Sequence, residues 1–270
     1  MAPESTSLKT PVPERAPGMA LYSSVLRGDE LHVWTLRIGH RYQAIERIRN
    51  ESGASGVSRS LAPGQRFAPT ASSLTLGALL SEQEIQALLT TIASGSTREW
   101  IATQLGTRLA VDLDQSWVRR QYAPRNYPAQ HAPHGWHQDG ALAFDFHSHR
   151  DGVFPEGALL SMVTCWVSLD ACGLDAPGLE LVTNGPTKMV GPSELTPDLM
   201  RGRFAPEEFW RPVLQPGDAL LFSGEVLHRT HITPAMTRDR TSIELRFFSA
   251  NKLPARLNGD RFVFIGSAGL

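Results

Sequence analysis

The chain has only two cysteines in 270 residues, Cys165 and Cys172, too few for a disulfide scaffold. Cys165 sits inside an apolar run and reads as a buried free thiol, which suits a reducing cytoplasm. Their spacing leaves a bridge between them open. Neither sign of charge dominates: 26 Lys and Arg stand against 27 Asp and Glu. No basic run or acidic tail points to nucleic acid or a membrane surface as partner. No apolar stretch approaches the roughly 20 residues a membrane helix needs. The first eighteen residues, MAPESTSLKTPVPERAPG, lack the apolar centre of a signal peptide and read as a disordered arm. These absences fit a cytoplasmic globular protein of undefined oligomeric state.

Behind the arm, residues 19–270 read as a single domain in three stretches. The first, a helical preface, runs to about residue 106. Within it residues 19–50 carry mixed signals that fit no one element, and 51–75, rich in Gly, Ser, Ala and Pro, read as a connecting loop. Ser81-Glu82-Gln83-Glu84 is a capping box, followed on one helical face by Ile85, Leu88, Leu89 and Ile92. Ser96-Thr97-Arg98-Glu99 is a second box, and Gly106 is the natural stop of its helix. The second stretch, about 107–250, changes to strand texture. Strands are predicted over 109–113, 116–122, 159–169, 178–182, 218–223 and 241–248, and over 261–265 in the C-terminal stretch, 251–270. Many strands after a helical beginning indicate an α+β, mainly β chain whose core is a β-sandwich or barrel.

The sequence HGWHQDG (134–140) holds the chemistry. With nine His and twelve Asp in the chain, about 0.4 His-x-Asp pairs are expected by chance, so the pair alone proves nothing. On a strand, however, His137 and Asp139 project to one face, as two ligands of one metal must. His228 is the third candidate, closing a strand that begins at the turn Gln215-Pro216-Gly217-Asp218. Two imidazoles and a carboxylate on one side of an ion form the triad that suits ferrous iron and oxygen chemistry. Beyond it, Arg240, Ser242, Glu244 and Arg246 share one face of a strand, and Ile243, Leu245 and Phe247 the other. An inward arginine needs a carboxylate. Either Glu244 serves, or a small dicarboxylate bound beside the iron does.

Together WHQDG (136–140), CWVSLDACGLDAPGLELV (165–182), PGDALLF (216–222), His228 and Arg240 resemble the phytanoyl-CoA dioxygenase-like family of Fe(II)/2-oxoglutarate oxygenases. The likeness covers about 116–250. It implies a double-stranded β-helix, or jelly roll, with flanking helices. It implies His137, Asp139 and His228 as iron ligands, and Arg240 with Thr230 as partners of the distal carboxylate of 2-oxoglutarate. Trp166 would line the co-substrate pocket, Gln121 would touch 2-oxoglutarate, and Arg246 would reach the open side of the iron near substrate. The implied reaction consumes O₂ and 2-oxoglutarate and hydroxylates, or otherwise oxidises, a C–H bond of a small metabolite; Arg119, Arg120 and Arg125, just before the motif, fit a carboxylate-bearing one. Asp139 stands where related halogenases carry a small residue. One departure is the turn Thr183-Asn184-Gly185-Pro186-Thr187, where the family usually reads PGSH.

Two rival readings stand beside this one. A jelly-roll protein can bind metal without turnover. And His147-Ser-His149-Arg-Asp151 resembles the start of the metallo-β-lactamase zinc motif, although Gly152 follows where that motif needs a further His, and the chain lacks alternating strands and helices.

Overall fold

The computed structural model describes residues 16–51, 73–126, 133–141, 159–254, 257 and 260–265. In chain order its elements are β1 (Met19–Tyr22), α1 (Gly28–Glu51), β2 (Ser73–Thr75), α2 (Leu76–Leu79), α3 (Glu82–Ile92) and α4 (Gly95–Leu105). Then come β3 (Leu109–Gln121), β4 (His137–Gln138), β5 (Val163–Ser168), β6 (Gly178–Val182), α5 (Pro197–Arg203) and β7 (Phe209–Trp210). The chain ends with β8 (Ala219–Ser223), β9 (Leu227–His231), β10 (Arg240–Ser249) and β11 (Phe262–Ile265).

All strand pairs are antiparallel, in two sheets. The larger runs β1-β8-β5-β10-β3-β11, with β2 also on β3, and the smaller runs β4-β9-β6-β7. This is the mainly β, jelly-roll architecture that the resemblance implies. Period-two alternation sorts the faces of the large sheet. Val163, Cys165, Val167, Ile243, Leu245 and Phe247 lie in one buried cluster with Trp34 and Ile38 of α1, Ile85, Leu88, Leu89 and Ile92 of α3, and Ile101 of α4. The opposite face sends Trp166, Leu220 and Phe222 into a cluster with Leu179 and Leu181 of the small sheet. The polar face of β10 thus turns inward between the sheets.

Helix α3 carries the capping box at Ser81 and Glu84. Glu84 also accepts two bonds of 2.9 Å from Arg41, so that α1 and α3 are clamped together. The second box is corrected. Helix α4 begins at Gly95 with Ser94 as N-cap, and Ser96 lies inside its first turn. The Ser94 hydroxyl donates to Thr91 O at 2.7 Å, tying the end of α3 to the start of α4 and leaving Ser96 no terminus to cap. Gly106 ends the helix at φ +89°, as read. The stretch 19–50 resolves into β1 and α1. Ser73–Thr75, read as loop, pairs with Arg119–Trp117 as strand β2. The long run 159–169 is strand only over Val163–Ser168. The strands read at 109–113 and 116–122 are one strand with a bulge.

The bulge sits where the pairing of β3 with β10 jumps from Trp117–Glu244 to Asp112–Arg246. Asp112 builds it: Oδ1 accepts from Asp114 N at 2.9 Å and Gln115 N at 3.1 Å, and its carbonyl accepts from Ser116 Oγ. Burial, reinforced by the neighbouring Asp260, pushes the Asp112 carboxyl up to about 8. A folded pKa above the unfolded value means the native state holds a proton that the unfolded chain releases. Stability is therefore expected to fall as pH rises from about 4 towards 8. Asp112→Asn, which keeps Oδ1 and offers Asp260 an N–H, should flatten that fall, as read by thermal unfolding at pH 5 and pH 8. An unchanged slope would show that this carboxyl does not carry it.

Candidate metal centre

Strands β4 and β9 bring the candidate ligands together. His137 and His228 are direct cross-strand partners, with ring centroids 4.1 Å apart. Asp139 follows β4 at the first position of a 3₁₀ turn, so it reaches its place by the end of a strand and a bend, not along one strand. The next residue allows that bend to close. Gly140 N donates to Gly224 O at 2.7 Å, and a Cβ at position 140 would lie 2.8 Å from that oxygen.

One ligand atom from each of His137, Asp139 and His228 lies within 4.8 Å of the other two. His137 Nε2 is 3.6 Å from Asp139 Oδ1, and His228 Nε2 is 3.8 Å from Asp139 Oδ2. Each imidazole is oriented from behind. Nδ1 of His137 lies 2.7 Å from Gly135 O and Nδ1 of His228 lies 2.9 Å from Val226 O. With Nδ1–H donating to a carbonyl, Nε2 presents its lone pair forward, as a metal ligand must. Burial pushes the His137 pKa down to about 3, with the neighbouring His228 second, and burial likewise lowers His228. Both rings are neutral at neutral pH. For Asp139 burial acts upward, but Arg246 and the two histidines outweigh it and hold the carboxyl well below its usual range. Arg246 Nη2 donates to Asp139 at 3.1 Å and Thr164 Oγ1 donates at 2.5 Å.

The position of His228 corrects one expectation. It does not close the strand that begins at the Pro216-Gly217 turn. That strand, β8, ends at Ser223 in the large sheet, and a turn at Gly224-Glu225 carries the chain across to β9 in the small one. Gly224 makes the crossing possible, because a Cβ there would meet Met162 Cγ at 2.7 Å and Leu160 O at 2.9 Å.

A cleft of about 400 Å³, including space open to solvent, joins the triad to the other candidates. Gln121, Trp166, Thr230, Arg240 and Arg246 all line it. Arg240 sits at the head of β10, opposite Gln121 of β3, and is 2% exposed. Its guanidinium lies 4.7 Å from the centroid of the Trp166 ring, yet among the described residues Nε and Nη1 have no hydrogen-bond partner, and neither has the Trp166 Nε1. Glu244 does not serve Arg240. It pairs with Arg119 at 2.7 Å and with Arg246 at 3.5 Å. Among the described residues no carboxylate is paired with Arg240, and buried donors left so are costly unless a ligand meets them. Among the described residues Arg246 also has Nε and Nη1 unpaired, but by contrast it already holds two carboxylates, Asp139 at 3.0 Å and Glu244 at 3.5 Å.

Several contributors had weak sequence signals or none. Thr164 pairs with Arg246 across β5 and β10, a register that only the sheet order reveals. Leu179 and Phe222 form apolar wall, and Arg119 and His134 lie side by side at the rim. Of the neighbouring arginines, Arg120 lies over the Tyr122 ring and Arg125 donates to Thr237 O. The zinc-hydrolase candidates His147, His149 and Asp151 fall outside the described residues.

Comparison with known proteins points the same way as this geometry. Among solved structures, EctD from S. alaskensis with bound Fe aligns at TM-score 0.59 and 13% identity, covering 92% of this chain and 78% of that one. EctD with 2-oxoglutarate and 5-hydroxyectoine aligns at TM-score 0.57 and 15% identity, over 88% and 73%. The non-heme alpha ketoglutarate dependent epimerase SnoN from nogalamycin biosynthesis aligns at TM-score 0.50 and 17% identity, over 87% and 79%. At such identities the likeness is one of fold. No curated protein sequence matches the chain. The family model described as phytanoyl-CoA dioxygenase matches residues 79–237, more than half the chain and both ends of the triad, and on that match the chain belongs to the phytanoyl-CoA dioxygenase family.

Proposed function

We propose that the protein is a non-haem Fe(II)- and 2-oxoglutarate-dependent dioxygenase that oxidises a C–H bond of a small metabolite, hydroxylation being the simplest outcome. The observation that carries this reading is one cleft holding both a His-Asp-His triad and a buried arginine, Arg240, with unpaired donors and, among the described residues, no carboxylate partner. The donor set fits the ion: two neutral imidazoles and one ionised carboxylate suit a ferrous centre with positions left open. His137, Asp139 and His228 would hold it. Arg240, with Thr230 and Gln121, would take the far carboxylate of 2-oxoglutarate, and the Trp166 face would wall it. When bound, the ion supplies dioxygen activation coupled to oxidative decarboxylation of 2-oxoglutarate to succinate and CO₂.

The chain's own part is positioning and exclusion of water. The carbonyls of Gly135 and Val226 fix both rings, and Arg246 and Thr164 fix the carboxylate. Leu179, Phe222 and Trp166 supply the apolar wall. Charge supports an anionic substrate. Among the described residues, the lining sets Arg119, Arg240 and Arg246 against Asp139 and Glu244. A ferrous ion and a 2-oxoglutarate dianion cancel, so one positive charge is left for the substrate, as a metabolite with one carboxylate would meet. Residues 19–270 would act as one domain. No helix among the described residues is long and apolar enough to cross a membrane.

The test is succinate release from 2-oxoglutarate with Fe(II) and O₂ across a panel of small carboxylic acids. Release stimulated by a panel member supports the reading. Metal and 2-oxoglutarate binding without any succinate would instead make the chain a binding protein.

A further inference from the structure

Between His137 and Asp139, at the end of β4, stands a side chain that is neither of the candidate ligands. Gln138 is 1% exposed, and its amide is filled at both ends. Nε2 donates to Glu225 O at 2.8 Å and Lys188 O at 3.1 Å, with Pro186 O at 3.5 Å, and Oε1 accepts from Val190 N at 2.8 Å. One amide therefore joins three separate segments. The first is the ligand pair His137 and Asp139. The second is the turn into β9, where Val226, the neighbour of Glu225, supplies the carbonyl that orients His228. The third is segment 186–190, which begins within the turn where this chain departs from the family's usual sequence. Val190 there shares a buried cluster with Val182 and with Trp136 and Leu227, the residues that precede His137 and His228 in sequence.

We infer that Gln138 is a positioning residue of the metal centre: through its amide, segment 186–190 and the 225–226 turn hold His137, Asp139 and His228 in register with one another. This rests on the iron-site reading above. The chemistry is specific to an amide. Two carbonyls need two N–H donors and one N–H needs an acceptor, and no other side chain of this size offers all three. A leucine would leave the three backbone groups unpaired in a buried place, and a glutamate would set a carboxylate against two carbonyl oxygens. Outer partners of metal ligands typically govern affinity by about 10–100-fold.

The experiment is titration of the full chain with Co(II), followed by its visible spectrum, alongside thermal unfolding of the metal-free protein. The variants are Gln138→Leu and Gln138→Glu. At least a tenfold loss of Co(II) affinity and an altered spectrum are expected in both, while the fold persists. If Gln138→Leu fails to fold, Gln138→Glu, which preserves shape and one acceptor, decides. Wild-type affinity and spectrum with only a lowered unfolding temperature would overturn the inference and leave Gln138 a packing residue. A wild-type chain that takes up no cobalt at all would sink the iron-site reading, and this inference with it.

Discussion

Asp139→Ala abolishes 2-oxoglutarate-dependent oxidation. Losing an outer partner of a metal ligand typically costs about 10–100-fold in affinity or activity, so losing a ligand should cost more than about 100-fold in the rate of succinate release. The carboxylate is doubly engaged, which raises the effect further. It accepts from Arg246 and Thr164 and faces both imidazoles. Truncation strips the buried Arg246 of its nearer partner, with only Glu244 left at 3.5 Å, and breaking a buried ion pair costs about 3–5 kcal/mol. Asp139→Asn separates the two consequences, since it keeps an oxygen for Arg246 and removes the charge that the ion needs. Activity should be lost in both variants, measured as succinate per minute, and stability chiefly in the alanine one. Retained activity in Asp139→Asn would show that the carboxylate is structural.

Arg240→Ala raises the 2-oxoglutarate requirement. Hydrogen bonds to charged groups contribute about 1.5–3 kcal/mol, so KM for 2-oxoglutarate should rise roughly 10- to 150-fold while Fe(II) or Co(II) affinity stays near wild type. The selectivity follows from placement. Both arginines have Nε and Nη1 unpaired among the described residues, but Arg240 lies on the Trp166 face with no carboxylate paired to it there, whereas Arg246 is already bonded to the ligand Asp139. Arg246→Ala is accordingly expected to weaken the metal and not the co-substrate alone. The reverse pattern, with KM for 2-oxoglutarate moved by position 246 and untouched by 240, would exchange the two roles.

What could be read in the sequence was whatever obeys a short period. The inward Arg240, Glu244 and Arg246 and the outward Ile243, Leu245 and Phe247 separate on a period of two, because β10 stays regular while the bulge is taken up by β3. Strand β6 and the box at Ser81 were legible for the same local reason. What was hidden depends on partners far away in the chain. Strand β2 is three residues whose only support is β3. The short turn at Gly224-Glu225, which moves His228 to the second sheet, looks locally like the tail of β8. The Ser94 N-cap lost to Ser96 in the reading because the preceding helix, not the following glutamate, decides where α4 starts. Gln138 carries no local signal of its role, since its partners lie 48 to 87 residues on.

At the centre of the account is convergence of three side chains on one ferrous ion, and diffraction at the iron absorption edge from crystals grown anaerobically with Fe(II) and 2-oxoglutarate tests it most directly. An anomalous peak bounded by the Nε2 atoms of His137 and His228 and the carboxylate of Asp139, with co-substrate density reaching Arg240, is the predicted result. A peak elsewhere, or either imidazole turned away from it, would contradict the account.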